Sequence, residues 1–523
     1  MALNIIPSFN KIALFFYIFL KYLKNPNTKN LHSDATTSTT QPEFQEFRFL
    51  GQKPDLENRV VIFDVEKALL KSSSLFPYFM LVAFEAGSPI RSLILLLLYP
   101  LIRVLAEGFA FKAMVMICFL GLKSERFKEG KSVLPKFFLE DVGMESFLAI
   151  RRAKTTVAVS SLPQIMVESF LIDYLDVDFV VGRDLKLFHG YFLGFMEQRR
   201  EPSLDGVITS SAIGFCSSKL QPFPNRLFSS CKEIYLVSDE ERRNWHQLAR
   251  DSYPKPLILH DGRLAFRPTF AAAAAMFAWL PFGFALAVAR AIVFFAAPPK
   301  IALWLLHLLG MQLRVSKSKA FSNSVVNRKL LGKGILYVCN HRTLFDPVFI
   351  YYSLETPLTA VTYGLSRVSE TVSVIDTVRL TRNRARDAEL MRRVLGRGGD
   401  LVVCPEGTTC REAYLLRFSP LFAEISDEIF PVAVDCRVGM FYGTTAGGSK
   451  WMDPLFFLMN PRVSYAVRFL DVVRGANDGG DGESRFVVAN LVQNQIAKAL
   501  GFTCTKVTRK DKYLILAGND GNY

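Results

Sequence analysis

The sequence predicts an α/β protein of two domains: an N-terminal doubly wound domain and a C-terminal α/β domain, with apolar membrane-associated helices between them. Three observations predict it. Short buried-strand patterns alternate with helix-like segments in the first half of the chain, the same alternation returns in the second half, and a nearly chargeless stretch separates the two. At 523 residues the chain also exceeds what one hydrophobic core organises.

Residues 1–46 begin with an apolar run, Ile12 to Leu20, flanked by Lys11, Lys21 and Lys24 and followed by a Thr/Ser-rich linker, Asn25 to Gln41. No small-residue cleavage site follows the run, which argues against a cleaved secretory signal. The first acidic residue is Asp34, as in a mitochondrial transit peptide, but no Arg precedes it. The first domain is expected over 47–262. In it Arg59-Val-Val-Ile-Phe63 reads as a buried strand ending at Asp64, and Thr156-Val-Ala-Val159 as another, ending before Ser160 and Ser161. An apolar insertion at about 89–122 is interrupted by Arg91, Arg103, Glu107 and Lys112. A charge at mid-bilayer costs about 2.5–3.5 kcal/mol. The insertion is therefore expected to lie in the membrane interface or cap the domain, not to cross a bilayer.

Residues 263–312 are expected to meet the membrane. Thr269 to Pro298 has no charge except Arg290, with Pro281 and Gly283 in its middle, so it reads either as one kinked span or as a hairpin dipping into one leaflet. A second apolar helix is expected over Ile301 to Met311. The second domain follows over 313–502, with strand-like runs at Ile335 to Cys339, Leu401 to Cys404, Phe430 to Val434 and Val463 to Phe469, and a tail over 503–523.

Half of the chain is hydrophobic, yet its net charge is +15. That pairing suits an anionic membrane surface and a phosphorylated substrate, and no RNP or zinc-finger pattern points to nucleic acid. Eight cysteines are scattered without a Cys-x-x-Cys pair, which offers neither a zinc site nor a disulfide framework and places the main domain in a reducing compartment.

The chemistry gathers at the strand ends of the second domain, where open α/β sheets place ligands. Asn340-His341-Arg342-Thr343-Leu344-Phe345-Asp346-Pro347 sets a histidine and a carboxylate five apart, both expected on the first turns of a helix. His341 can take a proton from an acceptor hydroxyl while Asp346 holds the ring, so acyl transfer needs no Ser or Cys nucleophile. The same spacing recurs at His246 and Asp251, but there it is set in a charged, helix-like stretch without a preceding apolar strand. Arg379, Arg382 and Arg384 place three guanidinium groups at short intervals, suited to bidentate phosphate contacts. Cys404-Pro405-Glu406-Gly407-Thr408-Thr409-Cys410-Arg411 follows a strand and turns sharply, able to aim Glu406 at acceptor hydroxyls and backbone N–H groups at an anion. Phe430 to Val434 lines an acyl channel or is core.

In this order and at these separations the four segments resemble the blocks of the glycerolipid acyltransferase superfamily. The rest of the chain is similar to the land-plant glycerol-3-phosphate acyltransferases. The resemblance is carried by Phe63-Asp64-Val65-Glu66-Lys67-Ala68-Leu69-Leu70, Phe76-Pro77-Tyr78-Phe79, Pro256-Leu-Ile-Leu-His-Asp-Gly-Arg-Leu264 and Arg509-Lys-Asp-Lys-Tyr513. It implies a haloacid dehalogenase-like domain fused to an acyltransferase domain, with His341 and Asp346 catalytic and Arg379, Arg382, Glu406, Gly407, Thr408 and Arg411 binding substrate. It implies acyl transfer from acyl-CoA, as co-substrate and without a metal or other cofactor, to glycerol 3-phosphate, often at the sn-2 hydroxyl, for cutin, suberin or related lipids. Membrane lipids are the other expected partners. The endoplasmic reticulum membrane, catalytic domain cytosolic, is the expected location, and the mitochondrial membrane the alternative. Acylation of lysophosphatidic acid and a non-catalytic lipid-binding scaffold are the competing functions. In the family an Arg lies nearer the Glu than Arg411 lies to Glu406; its counterpart is Arg411 after a shift, or Arg417. The phosphatase motif also departs from its pattern. That chemistry needs Asp-x-Asp and a later acidic pair for Mg²⁺, whereas here Glu66 follows Asp64 and no acid occurs between Gly206 and Cys231. With Ser160 these residues are expected to form a degenerate phosphatase site.

Overall fold

The computed structural model describes residues 43–47, 54–197, 212–217, 226–362, 374–475 and 483–521. The N-terminal apolar run and its linker lie outside them, as does most of the acid-free stretch after Gly206.

The first domain is built on a six-stranded, wholly parallel sheet of β1 (Glu43–Glu46), β2 (Val60–Asp64), β3 (Thr155–Pro163), β4 (Phe179–Arg183), β5 (Ile213–Ser217) and β6 (Glu233–Val237), in the order β1-β6-β5-β2-β3-β4. Every residue of β2 and β5 is buried, as a parallel sheet covered on both faces demands. The sheet thus begins with Glu43–Glu46, inside the stretch set apart by the sequence reading. The apolar insertion forms helices α1 (Pro89–Ile102) and α2 (Glu107–Phe119). Arg91 is accommodated by turning inward, where its guanidinium donates to the Cys118 carbonyl at 2.7 Å. Ile90, Leu97 and Leu101 of α1 point outward, each at least two-thirds exposed.

Thr269 to Pro298 forms one helix, α3 (Phe270–Ala296), which runs without interruption through Pro281 and Gly283. It is the one helix among the described residues long and apolar enough to cross a membrane. Its partner α4 (Pro299–Leu308) stops earlier than the sequence suggests, because Met311 already begins a strand. Phe282, Phe284, Val288, Ile292 and Phe295 of α3 and Ile301, Trp304 and Leu308 of α4 are exposed. The other side of α3 is fastened to the second domain: Trp279 Nε1 donates to the Met459 carbonyl at 2.8 Å, and the buried Arg290 donates to the carbonyls of Leu458 and Asn460, each at 2.6 Å.

The second domain carries an eight-stranded mixed sheet. Its strands are β7 (Met311–Lys317), β8 (Leu336–Cys339), β9 (Thr359–Thr362), β10 (Asp376–Arg379), β11 (Leu401–Val403), β12 (Glu428–Val438), β13 (Val463–Phe469) and the short β14 (Val473–Arg474). They follow the order β10-β9-β11-β8-β12-β13-β7, with β14 beside β12. β8 sits between β11 and β12, parallel to both. The segments after β8 and β11 therefore leave the sheet side by side at its carboxyl edge. Residues 503–521 are structured as well: Thr503–Cys504 pairs with Tyr414–Leu415, and a last helix, α5 (Arg509–Ala517), starts from a capping box at Thr508 and Asp511.

A polar seam joins the domains. Arg263 meets Asp453 at 2.6 Å, His260 Nε2 meets Glu412 at 2.9 Å, and Leu264 bridges to Phe441. The second His-x4-Asp copy lies near this seam in a loop and a 3-10 turn, not in a helix; His246 is exposed and bonded to Glu145 at 2.7 Å.

Candidate active site

β8 ends at Cys339, and the chain is turned by Asn340, whose fully buried amide donates to the Val434 carbonyl and accepts from the Val434 N–H, both at 2.8 Å. That pair fastens the end of β8 to β12 and fixes where residue 341 begins. His341 is in the loop and only Asp346 opens the following helix (Asp346–Leu354), so the two do not share the first turns of a helix as the spacing suggests. The loop folds the ring back: His341 Nδ1 stands 2.9 Å from Asp346 Oδ2.

Asp346 is wholly buried, and its charge is met on every side. Oδ2 also accepts from the N–H groups of Arg342 at 2.6 Å and Thr343 at 3.0 Å, while Oδ1 accepts from the Tyr465 hydroxyl at 2.8 Å and the Thr343 hydroxyl at 3.2 Å. Tyr465 comes from β13 and had no local signal in the sequence; its ring stacks on Phe349 of the same helix, centroids 3.9 Å apart. Burial works against a charged imidazole, yet the Cys404 sulfur and the Asp346 carboxylate together raise the pKa of His341 well above its ordinary value. The side chain of His341 keeps 17% exposure, so a substrate can reach it. Cys404, to which the sequence assigned no role of its own, lies beside Cys339 with the sulfurs 3.4 Å apart. All eight cysteines are free.

Glu406 serves the backbone. Its carboxylate accepts from the His341 N–H at 2.7 Å and the Leu416 N–H at 2.8 Å; it is 3% exposed, and burial pushes its pKa up to about 7. Gly407 has a φ of +65°, a left-handed conformation that favours glycine. Thr408 is buried and its hydroxyl accepts from Lys512 at 3.1 Å. The guanidinium of Arg411 is engaged at the domain seam, 3.3 Å from Asp261 and in contact with Thr444. Arg379 ends β10, three strands from β8, which is about 14 Å across the sheet. Arg382 follows with a φ of +67°, exposed. Arg384 is occupied by Glu424, and Arg417 is exposed with its N–H bonded to Val507. The structure therefore brings His341, Asp346, Glu406 and Gly407 together and leaves Arg379, Arg382 and Arg411 outside that cluster.

In the first domain, Asp64, Glu66 and Ser160 do converge. The Glu66 carboxylate accepts from the Ser160 hydroxyl and from the N–H groups of Ser161 at 3.1 Å and Leu162 at 3.3 Å; Asp64 accepts from the Lys67 N–H at 2.8 Å. Burial, with Glu66 beside it, pushes the pKa of Asp64 up to about 7. A hydroxyl and two N–H groups are what an oxyanion would need, and a side chain of the protein already takes them. Among the described residues no group of three or more His, Cys, Asp or Glu could hold a metal ion.

These two sites match two family models: residues 60–237 match the HAD-like domain of RAM2-like glycerol-3-phosphate acyltransferases, and residues 313–435 match the acyltransferase family. Similarity to whole proteins spans both. The chain is 50% identical over 488 residues to probable glycerol-3-phosphate acyltransferase 2 of Arabidopsis thaliana, covering 90% of this chain and 91% of that one. Probable glycerol-3-phosphate acyltransferase 3 of the same plant is 49% identical over 494 residues, with 92% and 94% covered. Glycerol-3-phosphate acyltransferase RAM2 of Petunia hybrida is 39% identical over 471 residues, with 87% and 97% covered. Two enzyme folds on one chain, a histidine–aspartate pair at the carboxyl edge of the second, and half-identity over nine-tenths of the length place this chain in the plant glycerol-3-phosphate acyltransferase family.

Proposed function

We propose that the protein transfers an acyl group from acyl-CoA to a hydroxyl of glycerol 3-phosphate, giving lysophosphatidic acid. The observation that carries the reading is the 2.9 Å contact between His341 Nδ1 and the buried Asp346 carboxylate. The carboxylate holds the proton on Nδ1, so Nε2 is the nitrogen left to take the hydroxyl proton as the oxygen attacks the thioester carbon. The C–S bond then breaks, and the proton leaves with the CoA thiolate. Arg379 and Arg382 are the cations we assign to the acceptor phosphate. Glu406, Gly407, Thr408 and Arg411 act by holding the turn and the seam. The sn-2 hydroxyl and use in cutin-type lipids follow from the resemblance.

The proposed surroundings are a membrane surface. Phe294 of α3 packs on Phe345, centroids 5.7 Å apart, next to Asp346, so the apolar helix leads directly to the site. Trp279 and Arg290 tie that helix to the domain along about 16 Å of its length, which favours lying in one leaflet over crossing the bilayer. Free cysteines beside His341 suit the cytosolic face of the endoplasmic reticulum.

The raised pKa of His341 sets the pH dependence. Only the neutral ring is a base, so kcat/KM for acyl transfer should rise with pH through the range above about 6.5. In Asp346→Asn the loss of the carboxylate lowers that pKa; the ascending limb should move to lower pH while its plateau falls. A limb that stays in place would remove Asp346 from this role.

We also propose that the first domain hydrolyses no phosphate, a reading supported by the Glu66 carboxylate on the oxyanion donors. Purified protein with Mg²⁺ and lysophosphatidic acid should release no inorganic phosphate. Release at a rate matching acyl transfer would overturn this.

A further inference from the structure

Lys512 is an ammonium group buried in the second domain with nothing in the acyl-transfer reading to explain it. It sits on α5, beyond the residues that match the acyltransferase family model, and is 7% exposed. Its Nζ donates to the Thr409 carbonyl at 2.5 Å, to the Thr408 hydroxyl at 3.1 Å and to the Thr409 hydroxyl at 3.2 Å. Among the described residues no carboxylate stands within ion-pair distance of it. Burial lowers its pKa, which is the mark of a charge held at a cost. A methionine would fill the same space without that cost, so packing alone does not account for the lysine.

The bonds lead to His341. The peptide unit that offers its oxygen to Lys512 is the one between Thr409 and Cys410. Its other end, the Cys410 N–H, donates to the His341 carbonyl at 2.8 Å. A cation on the carbonyl side of a peptide polarises it and strengthens the bond its N–H makes. The N–H of His341 is held from the other side by Glu406 at 2.7 Å. The backbone of the proposed base is thus clamped at both its polar groups, by Glu406 directly and by Lys512 through one peptide. α5 is braced in turn against the first domain, where Lys128 donates to the Ala517 carbonyl.

We propose that Lys512 is a positioning residue for acyl transfer, fixing the backbone of His341 through the Thr409–Cys410 peptide. The proposal rests on the reading of His341 as the base. Lys512 touches no substrate; it sets where the ring stands when the hydroxyl arrives. Displacement of a catalytic group by about 1 Å costs on the order of 100-fold in rate.

Full-length protein in phosphatidylcholine vesicles, assayed with palmitoyl-CoA and glycerol 3-phosphate, provides the test. Lys512→Met should lower kcat about 10- to 100-fold and leave KM for both substrates within about twofold, at temperatures where a thermal melt shows the variant fully folded. Combined with His341→Ala it should add no further loss, since both act through one group. Should Lys512→Met fail to fold, Lys512→Arg carries the same test, with its fork displacing the peptide. Unchanged kcat, or a loss of kcat matched by a loss of folded protein, overturns the inference. His341→Ala alone separates the two ideas: full activity there sinks the acyl-transfer reading itself, whereas loss there beside a wild-type kcat for Lys512→Met sinks only the role of Lys512.

Discussion

His341→Ala is expected to lower acyl transfer from acyl-CoA to glycerol 3-phosphate by about 10²- to 10⁴-fold, the usual contribution of a positioned general base. The fold should survive, because the residue's structural bonds are made by its backbone: the N–H to Glu406 and the carbonyl to Cys410. The ring itself contributes the contact to Asp346, and that carboxylate keeps four other donors when the ring is gone. KM for both substrates should change little, since a base that acts only as the proton moves contributes to kcat and not to ground-state binding. Steady-state rates with labelled glycerol 3-phosphate, beside a thermal melt of the same preparation, decide it. A rate within a fewfold of wild type would remove His341 from the chemistry.

Arg290→Leu should have the largest effect on stability. The guanidinium is wholly buried and serves the carbonyls of Leu309, Leu458, Asn460 and Pro461, which join α3 to the loop after α4 and to the segment ahead of β13. Leucine satisfies none of them. Each buried acceptor left without a donor costs about 1–3 kcal/mol, and after relaxation the sum should be about 3–5 kcal/mol. For a domain of this size that is a fall of roughly 6–20 °C in the thermal midpoint. An unchanged midpoint, read on protein in detergent or vesicles, would show that α3 is held by its apolar contacts alone.

Arg290 also shows where the sequence stops being legible. As one charge in thirty apolar residues it was conspicuous, but its purpose depends on carbonyls some 170 positions away, which no local pattern carries. The strands were legible because both faces of the parallel part of the sheet are covered, so β8 and β11 read as unbroken apolar runs within a residue of where they lie, while β13, antiparallel to β12, shows the alternation of Val463, Tyr465, Val467 and Phe469. The pairing of His341 with Asp346 was legible because it is local. Tyr465 and Lys512 were not, since each reaches the site from a distant element. Glu406 and Arg411 were recognised as important by residue type, yet type does not say which way a side chain turns, and theirs turn to the backbone and to the domain seam. Pro281 suggested a break that the helix does not make; the proline removes one N–H, while contacts on either side at Trp279 and Arg290 keep the helix in line.

The seam through His260, Asp261, Arg263 and Arg411 bears on how such a protein can change over generations. Charges buried between two domains are satisfied only while both surfaces remain. Substitutions at Asp64 or Glu66 touch none of those contacts and can accumulate one at a time. Deletion of the whole first domain is a different event, for it would leave Arg411 and Glu412 facing water or apolar surface without Asp261 and His260. The first domain is thus, whatever its own chemistry, the footing on which its neighbour stands.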